Sequence, residues 1–183
     1  ASDTNKTALS QYERYADFDG DTSVDESNIN GLIRYEKTLN NGMNVFTGMS
    51  RTHRYPDATE LYIAKGGAMN GADVSWIGNP DLKPEQHNQL DIGISGSNKK
   101  TNWSVSAYYD AINDYILRDI NPSVNQADLM TSPLLMGATV DKRTVYTNVD
   151  ATIYGLEATG NWNVSNKIDV GANVNFSKGT NDT

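Results

Sequence analysis

The sequence predicts an all-β fold in which six antiparallel strands run up and down in three hairpins, as a fragment of a transmembrane β-barrel. Apolar and polar residues alternate over long segments, so each strand has one apolar and one polar face. Short turns at one end alternate with long loops at the other, a pattern typical of outer-membrane barrels. Several strands are longer than the roughly 9–11 residues that cross a bilayer.

Composition limits the partners of the chain. It has 183 residues, 37% of them hydrophobic, and a net charge of −8. A strongly negative chain is repelled by phosphate backbones, so the charge argues against a nucleic-acid partner. There is no cysteine, which fits an exposed or periplasm-facing protein without disulfides. No apolar run approaches the roughly 20 residues of a membrane helix.

Residues 1–26 are predicted to form an acidic outer loop. Aspartates at alternate positions can hold calcium, and here they are Asp17, Asp19, Asp21 and Asp25. The glycine stands at the fourth loop position rather than the sixth, and Asn28 occupies the place of the bidentate glutamate. A solvated loop is therefore favoured over this calcium alternative.

The first hairpin is predicted over residues 27–53. Asn40-Asn-Gly42 forms its tight turn, because Asn and Gly tolerate positive φ. Phe46 breaks the alternation of the second strand, since it falls on the polar side.

Residues 54–85 are predicted to form a second outer loop that ends in a stiff elbow. Pro80 and Pro84 fix φ and lack an N–H, so the backbone cannot join a central ladder there. Together with Glu85 they have a predicted architectural role, which is to end the loop and start the next strand in register.

Two further hairpins, 86–118 and 142–178, flank a third outer loop predicted at 119–141. Trp103 and Trp162 lie three to four residues from the short turns, where an aromatic girdle meets lipid headgroups. The apolar faces are predicted to contact lipid, among them the side chains of Leu90, Ile92 and Ile94.

A soluble β-sandwich gives the same alternation, because its strands also have one face in a core and one in water. The small Asn, Ser and Thr residues of the polar faces suit a wet lumen, and sandwich strands are seldom this long. The membrane barrel is therefore favoured. The alternative is a soluble secreted β-sandwich binding module, such as an adhesin or glycan binder.

Four stretches together indicate a family. They are Arg51-Thr-His-Arg-Tyr-Pro-Asp-Ala-Thr-Glu-Leu-Tyr62, Gly78-Asn-Pro-Asp-Leu-Lys-Pro-Glu85, Ser106-Ala-Tyr-Tyr-Asp-Ala-Ile-Asn-Asp-Tyr-Ile116, and Tyr146-Thr-Asn-Val-Asp-Ala151 with Tyr154-Gly-Leu-Glu157. Their order and spacing over about residues 43–178 resemble the late barrel of TonB-dependent outer-membrane receptors. More narrowly, Pro56-Asp with Glu60, Glu85-Gln-His-Asn-Gln-Leu-Asp91, Asp114-Tyr-Ile-Leu117 and Lys178-Gly-Thr-Asn-Asp182 resemble the copper-receptor branch.

This resemblance implies a barrel of about 22 strands plugged by an N-terminal domain. Such a receptor lies in the bacterial outer membrane with its long loops outside, and it imports metal ions or chelates with energy delivered through TonB. The chain is expected to be a single barrel segment without the plug, the TonB box and the final strand. Its implied partners are its own plug, the TonB complex and outer-membrane lipid.

Soft side chains are the copper candidates. Thioether and imidazole groups suit Cu(I), and the predicted ligands are Met69, Met130, Met136, His53 and His87. Copper enters here as a transported solute, and no cofactor is required. The polar residues expected in the lumen are Arg34, Glu36, Asp91, Asp110 and Glu157.

The sequence predicts no enzyme. It contains two histidines and neither a Gly-x-Ser-x-Gly nor a His-Glu-x-x-His motif. A barrel enzyme of the outer membrane is thus the least supported of the three classes considered.

Overall fold

The chain is described by a computed structural model that covers residues 8–9, 12–13, 16, 18, 22–23, 25–65, 68–69, 72–73, 76–120 and 144–182. It divides into two compact units. The first comprises Ala1–Ser27, Tyr55–Glu85 and Tyr115–Asn148, and the second comprises Asn28–Arg54, Gln86–Asp114 and Val149–Thr183.

Ten strands and a short helix follow one another from residue 31 onward in the described part of the chain, and residues 8–9 and 12–13 are also helical. The strands are β1 (Gly31–Thr38), β2 (Asn44–Arg54), β3 (Ala64–Lys65), β4 (Ala68–Met69), β5 (Ala72–Asp73), β6 (Trp76–Ile77), β7 (Glu85–Ser97), β8 (Thr101–Ile120), β9 (Thr144–Ser165) and β10 (Ile168–Asn181). The helix, here α1, spans Ala58–Tyr62 between β2 and β3. Where helices are described, none is both long and apolar enough to cross a membrane.

The second unit is a sheet of three antiparallel hairpins. β1 pairs with β2, β7 with β8, and β9 with β10. The hairpins join side by side in the order β1-β2-β7-β8-β9-β10, and the sheet is not closed. The predicted all-β class, with six long antiparallel strands in three hairpins, is therefore confirmed. Strand ends differ by a few residues from the prediction, since β1 starts at Gly31 and β10 continues to Asn181.

The register gives this sheet two chemically different faces. On the apolar face Ile33 lies opposite Met49, and Leu90 lies opposite Tyr109. Its exposed apolar side chains also include Tyr35, Ile92, Trp103, Val105, Tyr154, Leu156, Trp162, Val170, Val174 and Phe176. The polar face carries Arg34, Glu36, Gln89, Asp91, Ser104, Asp110, Glu157, Thr159, Asn161 and Asn175. Leu90 and Ile92 thus lie on an open apolar face, which is what a lipid-facing wall requires.

Two glycines of the polar face receive aromatic rings from the neighbouring hairpin. A Cβ on Gly93 would lie 2.3 Å from Phe46 Cε1, and a Cβ on Gly155 would lie 2.6 Å from Tyr108 Cε1. Each ring therefore occupies the space that a side chain would fill, an arrangement known to support edges and seams of sheets. The position of Phe46 on the polar side, an exception in the sequence pattern, is explained by the contact with Gly93.

This contact makes Gly93→Ala a test of the β2–β7 seam. The new methyl would overlap the Phe46 ring, and we expect the free energy of unfolding to fall by about 1–3 kcal/mol, the usual range for overpacking. In a Phe46→Ala background the same change should lose this destabilising effect, because the ring is gone. Urea unfolding of the protein gives the coupling between the two positions; additive effects would contradict the contact.

The first unit contains the short helix α1, whose first turn is capped by side chains. Asp57 Oδ1 accepts hydrogen bonds from Thr59 N and Glu60 N, and Glu60 Oε2 accepts one from Asp57 N. These reciprocal bonds form a capping box that satisfies the open donors of the first turn. Beyond α1, β6 pairs in parallel with the start of β9 at Trp76 and Thr144. The sequence predicted only antiparallel pairing.

Two small apolar clusters hold the first unit together. One contains the buried Tyr12, Phe18, Ile77 and Val145, and the Tyr12 hydroxyl donates to the carbonyl oxygen of Tyr62 at 2.5 Å. Burial raises the pKa of the Tyr12 phenol, and the nearby Tyr62 raises it further. The second cluster contains Leu61, Leu82 and Ile116, with Tyr146 packed against it.

Candidate functional site

The elbow at residues 78–85 lies in the first unit, where side-chain hydrogen bonds add to the backbone hydrogen bonds that Gly78, Asn79 and Leu82 donate. Asn79 Oδ1 accepts from Asp81 N at 2.9 Å, which closes the turn that contains the buried Pro80. Lys83 N donates to Asn148 Oδ1 at 2.9 Å, and Asn148 Nδ2 donates back to the Lys83 carbonyl at 3.1 Å. The Asn148 amide therefore imitates the backbone pairing that the adjacent Pro84 cannot supply.

Glu85 ends this elbow as a buried carboxylate. Only 2% of its surface is exposed, and Oε1 accepts a hydrogen bond from the backbone N–H of Ile116 at 2.9 Å. A buried carboxylate is stable only where donors compensate its lost hydration. This arrangement supports an architectural role for Glu85 in joining the start of β7 to β8.

The polar face of the second unit contains a concavity of about 460 Å³. Its charged lining consists of one guanidinium, Arg34, and two carboxylates, Asp91 and Glu157. Phe46, Gln89, Ser106, Ala107 and Tyr108 complete the lining. The register brings these residues together from five strands of three hairpins, so no single hairpin forms the concavity. This concavity is the candidate functional site.

Arg34 is fixed in place within the concavity by two neighbours. Its Cζ lies 3.8 Å from the centre of the Phe46 ring, and its Nε donates to Glu36 Oε1 at 2.5 Å. A guanidinium over an aromatic face is attracted by the ring quadrupole. Phe46 itself packs on Gly93, so the position of the Arg34 guanidinium depends on the Phe46 ring and, through that ring, on Gly93.

The carboxylates of the site are bound to amides. Gln89 Nε2 donates to Asp91 Oδ1 at 2.7 Å, and Asn175 Nδ2 donates to Glu157 Oε1 at 3.2 Å. A carboxylate has about four lone-pair directions, so each group keeps acceptor capacity for a further donor. With two carboxylates and one guanidinium, the concavity suits polar or cationic groups.

His87 and Asp110 form a second polar pair on the same face. His87 Nδ1 lies 2.7 Å from Asp110 Oδ2, and Asp110 is 7% exposed. Among the described residues, none forms a hydrogen bond with the other carboxylate oxygen, Oδ1, which is buried. A carboxylate on Nδ1 fixes the orientation and tautomer of an imidazole.

The two histidines that the sequence assigned to copper lie on opposite faces. His53 Nδ1 is 2.9 Å from Asn30 Oδ1, and its Nε2 is 3.3 Å from Gln86 Oε1. Gln86 is adjacent to His87 in β7, so their side chains point to opposite sides of the strand. One ion therefore cannot be ligated by both histidines in this arrangement.

The remaining predicted ligands are placed only in part. Met69 ends the two-residue strand β4. Met130 and Met136 lie outside the described residues, as do Asp17, Asp19 and Asp21, while Asp25 is exposed. Within the described part of the chain, no group of three or more His, Cys, Asp or Glu residues could hold a metal ion. The copper and calcium assignments stay predictions.

The sequence pattern predicted Arg34, Asp91 and Glu157 as polar residues of the lumen but did not identify the other five residues of the lining, among them Phe46, Gln89 and Tyr108. Phe46 was noted only as an exception, and Gln89 and Tyr108 were not singled out. The sequence signal for the aromatic residues is a glycine on the polar face of the neighbouring strand, Gly93 for Phe46 and Gly155 for Tyr108, because a glycine leaves room for a ring. That signal cannot be used without the register between hairpins.

Comparison with known proteins places the whole chain in context. A family model described as "TonB dependent receptor-like, beta-barrel" matches residues 6–183. No curated protein matches the sequence.

Solved structures resemble most of the chain. The structure titled "Copper transporter OprC" is 26% identical, with a TM-score of 0.61, over 83% of this chain and 21% of that one. The siderophore receptor PirA from Pseudomonas aeruginosa is 15% identical, with a TM-score of 0.65, over 84% of this chain and 28% of that one. The Serratia marcescens hemophore receptor HasR, solved with its hemophore HasA and heme, is 14% identical, with a TM-score of 0.58, over 80% and 22%. The chain thus spans between a fifth and three tenths of these proteins.

Proposed function

This chain belongs to the TonB-dependent receptor β-barrel family, which is an outer-membrane family of transport receptors rather than enzymes. We propose that the chain forms part of a receptor that binds and imports a metal or metal chelate with TonB-derived energy. Copper is the first candidate solute. The plug and the TonB complex are its proposed partners, and the long loops are proposed to lie outside the cell.

The observation that carries this proposal is the division of the sheet into two faces. Large apolar side chains such as Ile92, Val174 and Phe176 are more than half exposed on one face, which is unfavourable in water and favourable in a bilayer. Charged and amide groups line the concavity of the other face. A wall that is apolar outside and polar inside encloses an aqueous path.

The polar concavity has a defined place in this proposal. Asp91 and Glu157 can accept hydrogen bonds from a cationic or amide group that enters the lumen, such as a side chain of the plug. The fixed guanidinium of Arg34 prevents the wall from becoming uniformly acidic. The concavity is therefore proposed to hold the plug or to line the solute path.

Copper is favoured by two independent lines of support. The copper transporter OprC is 26% identical over 83% of the chain, whereas the siderophore receptor PirA is 15% identical. The third outer loop also carries Met130 and Met136, and thioethers are ligands that select Cu(I).

We expect radioactive copper uptake in cells to require the full-length receptor and to be lost when TonB is absent. Met130→Leu combined with Met136→Leu should reduce copper uptake several-fold if the thioethers capture the ion, because leucine keeps the volume but removes the ligand atom. Met43→Leu, next to the tight turn at Asn40-Asn-Gly42, is the matched control and should leave uptake unchanged.

The competing solute is tested in the same cells. If the receptor imported a ferric siderophore and no copper, copper would be excluded as the solute, while the family assignment would stand. Unchanged copper uptake in the double variant would exclude Met130 and Met136 as copper ligands, while copper would remain the proposed solute.

A further inference from the structure

The apolar face of the second unit carries a groove with an arginine at one end. The groove has a volume of about 360 Å³, between β1, β2 and β7. Ile33, Met49 and Leu90 contribute its apolar lining, and they are 71%, 62% and 47% exposed. Arg51 and Asn88 contribute polar groups. An apolar channel with a cation beside it matches the shape of an anionic amphiphile.

The guanidinium is positioned by an amide network on the same face. Arg51 Nε donates to Asn88 Oδ1 at 2.9 Å, and Asn88 Nδ2 donates to Asn113 Oδ1 at 3.3 Å. A guanidinium carries five N–H groups, and this network uses only the one on Nε. No described residue accepts from the terminal amino groups of Arg51, which can therefore bind two oxygens of one phosphoryl group.

The position of Arg51 along the wall fits the boundary of the hydrocarbon layer. Trp103 lies near the short turn of β7–β8, and Asn88 is opposite Ala111, eight residues further along β8. This separation is about 26 Å along a strand and about 20 Å along the membrane normal at the usual barrel tilt. The apolar band of such barrels is about 25 Å tall. Arg51 can therefore place its charged end at the far interface while its stem stays among apolar groups.

We propose that this groove binds one anionic membrane lipid, with the phosphoryl headgroup on the terminal amino groups of Arg51, which Asn88 holds in place, and an acyl chain along Ile33, Met49 and Leu90. The lipid, rather than free phosphate, is the ligand because the apolar lining faces the hydrocarbon layer, so a phosphoryl group at Arg51 is followed along the groove by an acyl chain rather than by water. The inference rests on the membrane placement in the proposed function and does not depend on the solute.

The test uses the full-length receptor reconstituted in phosphatidylcholine vesicles with spin-labelled phosphatidylglycerol or spin-labelled phosphatidylcholine as probe. Electron paramagnetic resonance measures the motionally restricted fraction of each probe. We expect the wild-type receptor to select the anionic probe about fivefold over the neutral one. Arg51→Gln should abolish this selectivity, and Arg51→Lys should retain part of it.

Arg54→Gln is the matched control. Arg54 stands three residues away in the same strand, on the opposite face by alternation, and its replacement removes the same charge. Its selectivity should stay at the wild-type value.

Each outcome has a definite reading. Equal selectivity in wild type and Arg51→Gln overturns the proposal, as does loss of selectivity in Arg54→Gln. Displacement of the anionic probe by millimolar inorganic phosphate would show a free-anion site and also overturn it. Heat-modifiable gel mobility reports folding of each variant, so an unfolded variant is replaced by Asn88→Leu, which should also reduce selectivity. A wild-type receptor that fails to insert into vesicles would instead contradict the proposed function.

Discussion

Gly155→Val is expected to prevent the full-length receptor from reaching its folded barrel at physiological temperature. A Cβ at this position would lie 2.6 Å from the carbonyl oxygen of Phe176 and 2.6 Å from the Tyr108 ring. The ring can move, but the carbonyl belongs to the β9–β10 ladder, in which Gly155 is opposite Ser177. Overpacking against backbone is at the upper end of its usual range, about 3 kcal/mol. Heat-modifiable mobility and urea unfolding measure the loss.

Gly160→Val is the matched control in the same strand. A Cβ on Gly160 has no neighbour within 4 Å, and valine favours strands. Its folded fraction should equal or exceed that of the wild type. The two glycines lie on opposite faces of β9, and only Gly155 has close neighbours, so equal damage in both variants would show that glycine flexibility matters rather than the Tyr108 contact. A fully folded Gly155→Val receptor would contradict the close packing at this seam.

Glu85→Leu is expected to lower the free energy of unfolding by about 2–3 kcal/mol, because it leaves a buried donor without its acceptor. The donor is the Ile116 N–H, which lies beside the cluster of Leu61, Leu82 and Ile116. Leucine preserves apolar volume, so the loss reports the polar interactions of the Glu85 carboxylate, the Ile116 bond among them, rather than a cavity. We expect protease cleavage within residues 55–85 to accelerate in parallel, since the elbow is no longer joined to β8.

Glu85→Gln separates hydrogen bonding from charge at this position. The amide oxygen of glutamine can still accept from Ile116 N, so most of the stability should return. A Gln variant as unstable as the Leu variant would show that the negative charge matters and that the Ile116 bond does not. Wild-type stability in both variants would contradict any architectural role for Glu85.

Alternation predicted the strands and their faces because both depend on neighbours in the chain. The apolar sides of β7 and β10 follow directly from Leu90, Ile92, Val174 and Phe176. The tight turns at Asn40 and Ser97 set the register within their hairpins in the same local way. The open all-β sheet was therefore predictable from residue order alone.

The candidate site was predictable only in its composition. Whether Phe46 meets Gly93, and whether His53 and His87 share a face, depends on the register between β2 and β7. These strands are separated by residues 55–84, and no tight turn specifies their pairing. The sequence therefore named the charged residues of the wall but could not bring them to one concavity, and it named His53 and His87 as copper candidates without showing that they lie on opposite faces of the sheet.

The contacts of Phe46 with Gly93 and of Tyr108 with Gly155 also predict the order in which the sheet assembles. Both occur where hairpins meet across long connections, whereas the hairpins themselves close over a few residues. Loop-closure entropy delays contacts between distant segments, and hairpins form in about 1–10 μs. We expect the three hairpins to form first and each aromatic ring to pack against its glycine afterwards. A side chain at Gly93, whose nearest neighbour is the Phe46 ring of the other hairpin, would then stop assembly after the hairpins have formed, leaving correctly paired hairpins that do not join.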